Sequence, residues 1–261
     1  MDASSAIPDG PPSRPLLGWF VIYALWLAAL AALLTILLSG TGWSWQAWRH
    51  DFWGQFRSTN WDIKLTIYVL YLSVAMTFTF LNTSVVVSIL AMHQAGIASN
   101  ILGPQNDSYA LALLLTVLLV GGLGAIASTI ANLTDYHIYM LIFRSRRVAR
   151  VRETHLYHVA ARWFAKSPFG LLLAFNILPI PVDVARILAV ASRYPLAPFA
   201  LSNFLGRFVR YGAVAAITFW LGEKYGWIAP VGLLAVAVVL ILLKLAKSLL
   251  SRRRQRSMET S

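Results

Sequence analysis

Residues 171–192 read LLLAFNILPIPVDVARILAVAS, an apolar run with two prolines, an aspartate and an arginine in its middle. A membrane helix could supply the apolar residues. Pro179 and Pro181 break it, because each removes a backbone donor and clashes with the preceding turn. Asp183 and Arg186 are ionisable, and a charge in hydrocarbon is costly. Broken backbone with charge is tolerated at membrane depth only where it lines a cavity or is buried in protein. The segment points to something polar entering or crossing a bilayer.

The remaining chain fits that setting. Of 261 residues, 58% are hydrophobic and 12% charged, about half the charge of a soluble domain. At about 20 residues per span there is room for about four to six spanning elements in one membrane domain. No room remains for a soluble catalytic domain. Ten tryptophans and ten tyrosines suit interfacial belts. The absence of cysteine excludes disulfides, thiolate metal sites and cysteine nucleophiles. The net charge of +12 lies beside apolar spans. It reads as a topology signal and anionic-lipid contact rather than nucleic-acid binding.

MDASSAIPDGPPSRP, residues 1–15, reads as a disordered polar tail. Leu16–Leu38 follows as a retained helix, too long for a signal-peptide core. Residues 40–62 carry five tryptophans among polar side chains and read as a short amphipathic piece in the headgroup region. From Lys64 to about Ile101 an apolar stretch is interrupted at Asn82-Thr83-Ser84. This predicts a hairpin that enters and leaves on one side, with a straight helix as the alternative. Gly103 to Asp107 is a turn. Tyr109–Phe143 is a long apolar helix in which Gly121, Gly122 and Gly124 permit close packing.

Arg144 to Lys166 holds seven of the 22 Lys and Arg residues, and the chain from Lys244 onward holds six more. The positive-inside rule puts both on the cytoplasmic side. The proline-broken segment 168–194 must then start and end there. Residues 197–221 cross outward and Ile228–Leu249 returns. Working backward, Tyr109–Phe143 crosses inward, segment 64–101 opens and closes on the outer side, and Leu16–Leu38 crosses outward. The expectation is an all-α membrane protein, a helical bundle with two inverted re-entrant hairpins. It forms a single transmembrane domain over 16–250 and ends in a basic cytoplasmic tail, 251–261. Inverted hairpins are how many transporters build a site near the midplane.

Of ten carboxylates, only Asp135 and Asp183 lie inside apolar segments. Asp135 could pair with Arg144 or another loop arginine near the interface. Asp183 precedes Arg186 by three residues, so on a helix the two are neighbours. It also suits the first turn of a helix that begins after a proline. Arg207 and Arg210 share a face at i, i+3 and need partners inside a span. Asp183, Asp135 and a lipid phosphate are the candidates, since an arginine fork suits phosphate. An ion pair within the protein accounts for them equally well. Asn82 and Asn176 fall at the breaks of the two hairpins and could satisfy freed backbone groups. The histidines are isolated or lie on a polar stretch, so no metal site and no cofactor is expected. There is no Gly-rich phosphate loop, GxSxG or HExxH.

Phe175-Asn-Ile-Leu-Pro-Ile-Pro-Val-Asp-Val-Ala-Arg186, Ala189-Val-Ala191, Tyr194-Pro195, Phe199 and Asn203-Phe-Leu-Gly-Arg-Phe-Val-Arg-Tyr211 stand in a fixed order. From about Asn132 to Trp220 the chain resembles the DedA family, also called the VTT or SNARE-associated Golgi protein domain. Asn132 to Tyr136 is similar to that family's Gly-Asp/Asn to Tyr element. The resemblance implies two inverted re-entrant hairpins and translocation of undecaprenyl phosphate or scrambling of phospholipids, in some members coupled to protons. It makes Asp183, Arg186, Arg207 and Arg210 the candidate functional residues. Asn82-Thr-Ser-Val-Val-Val-Ser-Ile lacks the proline and glutamate of the family's first hairpin, and Tyr139-Met140 replaces its Gly-Arg. Proton coupling thereby lacks its expected acid.

These readings converge on a lipid translocase of a bacterial-type inner membrane, not an enzyme, with Asp135 among its candidate transport residues. Its partners would be phospholipid or polyprenyl phosphate and protons, without nucleic acid; a homo-oligomer is compatible. The other reading is a non-transporting scaffold that serves membrane homeostasis.

Overall fold

The computed structural model describes residues 15–41, 44, 51, 54, 59–78, 83–92, 109–142, 164, 166–178 and 183–225. Every regular element among them is helical, as a backbone without water to bond requires. In order they are α1 (Pro15–Ser39), α2 (Trp61–Phe78), α3 (Thr83–Met92), α4 (Tyr109–Thr116), a π-helical stretch (Val117–Gly122), α5 (Leu123–Ile142), α6 (Pro168–Ile177), α7 (Asp183–Ala191) and α8 (Leu196–Tyr225). Among the described residues, three runs are long and apolar enough to cross a membrane: Gly18–Ser39, Tyr109–Ile142 and Leu196–Leu221. The N-terminal tail, Asn82, Pro179, Pro181, most of the Trp-rich and basic stretches, and Ile228–Leu249 lie outside the described residues.

The helices form two compact units. The first holds α1, α2, α5, α6, α7 and α8 as far as Arg210. In it α2 packs along α1 and α5, and α7 packs on α5 and α6. The second unit holds α3, α4, the π-helical stretch and α8 from Tyr211 onward. There Tyr211 donates to Thr83 Oγ1 (3.3 Å) and Thr218 to Ser88 Oγ (3.2 Å), tying α3 to α8.

α1 shows how the sequence sorts its faces. Val21, Ile22, Leu25, Leu33 and Ile36 are exposed. Trp19, Tyr23 and Trp26 follow the i, i+4, i+7 spacing of one helix face and bond inward. Trp19 Nε1 donates to Thr134 Oγ1 on α5 (3.1 Å), Tyr23 to Ser73 O on α2 (2.7 Å), and Trp26 Nε1 to Ser73 Oγ (3.0 Å). Aliphatic surface outside and hydrogen-bonding tips inside is the arrangement a lipid solvent selects.

The run from Tyr109, expected as one α-helix, contains the π-helical stretch at Val117–Gly122. Gly121 and Gly122 lie in it. Glycine is a poor α-former, and it offers no side chain to resist a widened turn.

The break in the proline segment falls where expected. α6 ends at Ile177, and its C-cap residue Leu178 is extended (φ −77°, ψ 148°), the conformation a following proline imposes. α7 starts at Asp183. With 10 and 9 residues, α6 and α7 are each roughly half the length needed to cross a bilayer.

α7 ends in a Schellman turn. Tyr194 N–H bonds Ala189 O (2.8 Å), Arg193 N–H bonds Val190 O (3.1 Å), and Arg193 has φ 52°. Pro195 then stops the chain from continuing as helix, and α8 begins at Leu196. The turn presents Tyr194 O to the Tyr136 hydroxyl, which donates to it at 2.9 Å. A β-branched side chain is strained at that φ, whereas glycine is not. Arg193→Val should therefore lower unfolding free energy by about 1–2 kcal/mol, with Arg193→Gly neutral or slightly stabilising. Thermal unfolding in detergent checks the order; equal loss in both would place the turn's importance in the arginine side chain.

Candidate functional site

Asn132 and Asp135 are three residues apart on α5 and so share a face. α7 lays Arg186 across them. Arg186 Nη1 donates to Asp135 Oδ2 at 2.7 Å, and its Nη2 makes a short hydrogen bond to Asn132 Oδ1. Asn132 Nδ2 donates onward to Asn203 Oδ1 on α8 (2.8 Å), and Asn203 Nδ2 to Phe199 O (2.7 Å). The charge at Arg186 is thus tied through two amides to the backbone of a third helix. Asp135 and Arg186 are each 5% exposed, and Asn132 and Asn203 are fully buried.

A second, smaller anchor lies one turn along α8. Arg207, 3% exposed, donates from Nε to Asn176 Oδ1 (3.2 Å), and Asn176 Nδ2 donates to Leu172 O (2.8 Å). Asn203 and Arg207 are four apart, so α8 carries both anchors on one face. Gly206 makes the second one possible. A Cβ there would lie 2.5 Å from Asn176 Cβ and 3.0 Å from Leu173 O. Only a glycine lets α8 approach α6 this closely.

Around the polar groups the packing is apolar and aromatic. Tyr136, Phe164, Leu172, Ala185, Leu188 and Phe199 belong to one buried cluster, in which the Tyr136 and Phe199 rings are 4.9 Å apart. Exclusion of water strengthens every polar contact in the network and makes an unsatisfied one expensive.

The structure brings together Asp135 and Arg186, which lie 51 residues apart in the chain. Asp135, weighed above as a partner for Arg144, thus meets an arginine of the proline-broken segment. Asp183 is the first residue of α7, and its side chain lies outside the described ones. Arg207 joins Asn176, and Arg210 is half-buried three residues further along α8. Asn176, expected to satisfy freed backbone groups, instead bonds a carbonyl within its own helix and receives Arg207. Asn132 and Asn203 stand in the motifs that carry the family resemblance but not among the candidate functional residues. Their signal is positional: each is a neutral polar residue at i, i+3 or i, i+4 from an ionisable one inside an apolar span. His137 stacks on Trp19 (5.3 Å, 10°), with Nδ1 2.6 Å from Leu133 O. Among the described residues no three His, Asp or Glu side chains gather as metal ligands.

The VTT domain family model matches residues 107–219. The chain carries a VTT domain. The resemblance read from Phe175–Arg186 and Asn203–Tyr211 is borne out, and the match reaches further toward the N-terminus than those motifs did. Both anchors fall wholly inside the VTT domain, whereas α1, α2 and α3 precede it. A search of curated proteins and a search of solved structures each return no match.

Removing Asp135 leaves the Arg186 charge buried without its carboxylate. Asp135→Ala should cost about 3–5 kcal/mol, and the double variant Asp135→Ala/Arg186→Ala less than the sum of the singles. Denaturant unfolding in detergent measures the cycle; zero coupling would mean the pair contributes nothing. Gly206→Ala should cost about 1–3 kcal/mol by forcing α6 and α8 apart. A neutral Gly206→Ala in the same assay would refute the close approach.

Proposed function

We propose that this VTT-domain membrane protein is a lipid translocase, flippase- or scramblase-like, acting on an anionic headgroup such as polyprenyl phosphate or phospholipid. The observation that carries the reading is the buried Arg186–Asp135–Asn132 cluster in a unit whose outer surface is aliphatic. A guanidinium fork donates to phosphate oxygens in the geometry it uses for a carboxylate. Asp135 holds one arm of Arg186 and a neutral amide holds the other. A phosphate approaching the fork competes with the Asp135 carboxylate for the charge of Arg186, and protonation of Asp135 would weaken that competition.

On this reading α6 and α7 form a re-entrant hairpin that enters from the cytoplasmic face of an inner membrane. The basic stretch 144–166 and the C-terminus lie on that face. Arg207 and Arg210 give the headgroup further positive charge, and Asp183 orients an arginine or exchanges a proton. The acyl or prenyl chains stay in the bilayer, so only the headgroup needs shielding. No covalent bond changes, and the protein is not an enzyme. The first hairpin lacks the family's acid, which favours passive equilibration between leaflets over proton-driven transport.

A scaffold reading is favoured by a different observation: the bonds of Arg186 to Asp135 and Asn132 both end on the protein itself. Charge reversal separates the two. In liposomes with fluorescent phospholipid and polyprenyl phosphate, wild type should equilibrate lipid between leaflets. The swapped pair Asp135→Arg/Arg186→Asp should be folded but lose at least about tenfold in rate, the effect of about 1.4 kcal/mol. No movement by wild type, with or without a proton gradient, would sink the translocase reading. Full activity in the swapped variant would remove Arg186 from the headgroup path.

A further inference from the structure

Within the first unit, α1, α5 and α8 leave an open groove of about 450 Å³. Gly18, Trp19, Ile22, His137, Ala197 and Ala200 are among its lining residues. Its walls are almost wholly apolar. Small residues on facing membrane helices ordinarily let the helices close on each other. Here Gly18, Ala197 and Ala200 instead frame unfilled space, and a Cβ added to Gly18 would meet nothing within 4 Å. The groove is held open by a fixed wall. Trp19 is pinned by its bond to Thr134 and by stacking on His137, and His137 is in turn bonded to Leu133 O.

Two features say what fills it. The groove is continuous with lipid-facing surface, since Ile22, Leu25, Leu196 and Leu201 beside it are all exposed. In hydrocarbon such a gap is filled by an alkyl chain, because water has too few polar partners there. The second feature is charge. The groove is built from the first turns of α1, the last turns of α5 and the first turns of α8. Exposed Arg193 lies in the turn that leads into α8, whose first turns line the groove. Basic side chains beside a membrane helix attract anionic headgroups.

We propose that this groove binds one acyl chain of an anionic phospholipid, with its headgroup at the Arg193 end of the groove. The groove lies on the Leu133/His137 side of α5. On a helix this is roughly opposite Asp135, so the site is separate from the buried cluster. The inference rests on the membrane setting of the VTT domain and does not require translocation.

The test is native mass spectrometry of the full chain in detergent, titrated with phosphatidylglycerol or phosphatidylcholine. Ala200→Phe and Gly18→Phe fill the groove from opposite walls, and Leu201→Phe changes an exposed neighbour outside its lining. Wild type and Leu201→Phe should retain one phosphatidylglycerol that both filling variants bind at least about tenfold more weakly. Thermal unfolding confirms that each variant is folded. Equal retention by wild type and the filling variants would overturn the site, and equal affinity for phosphatidylcholine would overturn the choice of an anionic lipid. Preferential retention of polyprenyl phosphate over phosphatidylglycerol would overturn the phospholipid assignment. Leaflet exchange by the same variants is read separately. A wild type that binds lipid in the groove but moves none would end the translocase reading and leave the groove standing.

Discussion

The Arg186 charge, carried on a helix too short to cross a bilayer, is the constraint around which the first unit is arranged. α7 has nine residues and cannot be held in place by spanning. Its position comes instead from a guanidinium that needs a carboxylate and an amide at once. α5 supplies both within one turn, at Asp135 and Asn132. Sliding α7 by one residue would swing Arg186 about 100° around the helix and leave a charge stranded in apolar packing. A buried ion pair contributes little net stability against an apolar alternative, but it penalises wrong registers heavily.

Three asparagines that are fully buried among the described residues extend this logic. Asn132, Asn176 and Asn203 each accept through the amide oxygen and donate through the amide nitrogen. The donated bonds of Asn176 and Asn203 end on carbonyls of their own helices, so both polar ends of each amide are used. A side chain that could only accept or only donate would leave one end of the network open, at the usual cost of an unmet buried group. Gly206 belongs to the same design, because without the close approach of α6 to α8 Arg207 would not reach Asn176.

Much of this was legible in the sequence, for identifiable reasons. Hydropathy and length announced the membrane runs at α1, Tyr109–Ile142 and α8, since only apolar composition is needed to see them. The prolines announced the α6–α7 break, because proline acts on its immediate neighbours. Spacing announced that Arg207 and Arg210 share a face, but spacing says nothing about which helix lies opposite. The Asp135–Arg186 pair joins segments with the whole basic stretch 144–166 between them, and no local rule could select it over the nearer Asp183. Asn132 and Asn203 were passed over because a neutral amide raises no alarm in a hydrophobicity profile. The π-helical stretch escaped for a similar reason: a widened turn leaves the composition of an apolar run unchanged. The left-handed Arg193 gave no signal because the usual glycine is absent, and only Pro195 marked the turn.

On the translocase reading, the network's structural role and its proposed functional role are not in competition. A guanidinium left alone in hydrocarbon would have no defined orientation and a high free energy. One paired with Asp135 is pre-oriented and already desolvated. On the translocase reading, a lipid phosphate that takes the place of Asp135 exchanges one anion for another at the same fork. The charge balance around Arg186 is then maintained if Asp135 takes up a proton as it leaves. That exchange avoids the expense of bringing a phosphate to an unprepared apolar interior, and Asn132 keeps the other arm of Arg186 fixed while it happens. The same bonds that hold α7 on α5 would then make the fork a usable receptor, and weakening them for flexibility would weaken the site as well.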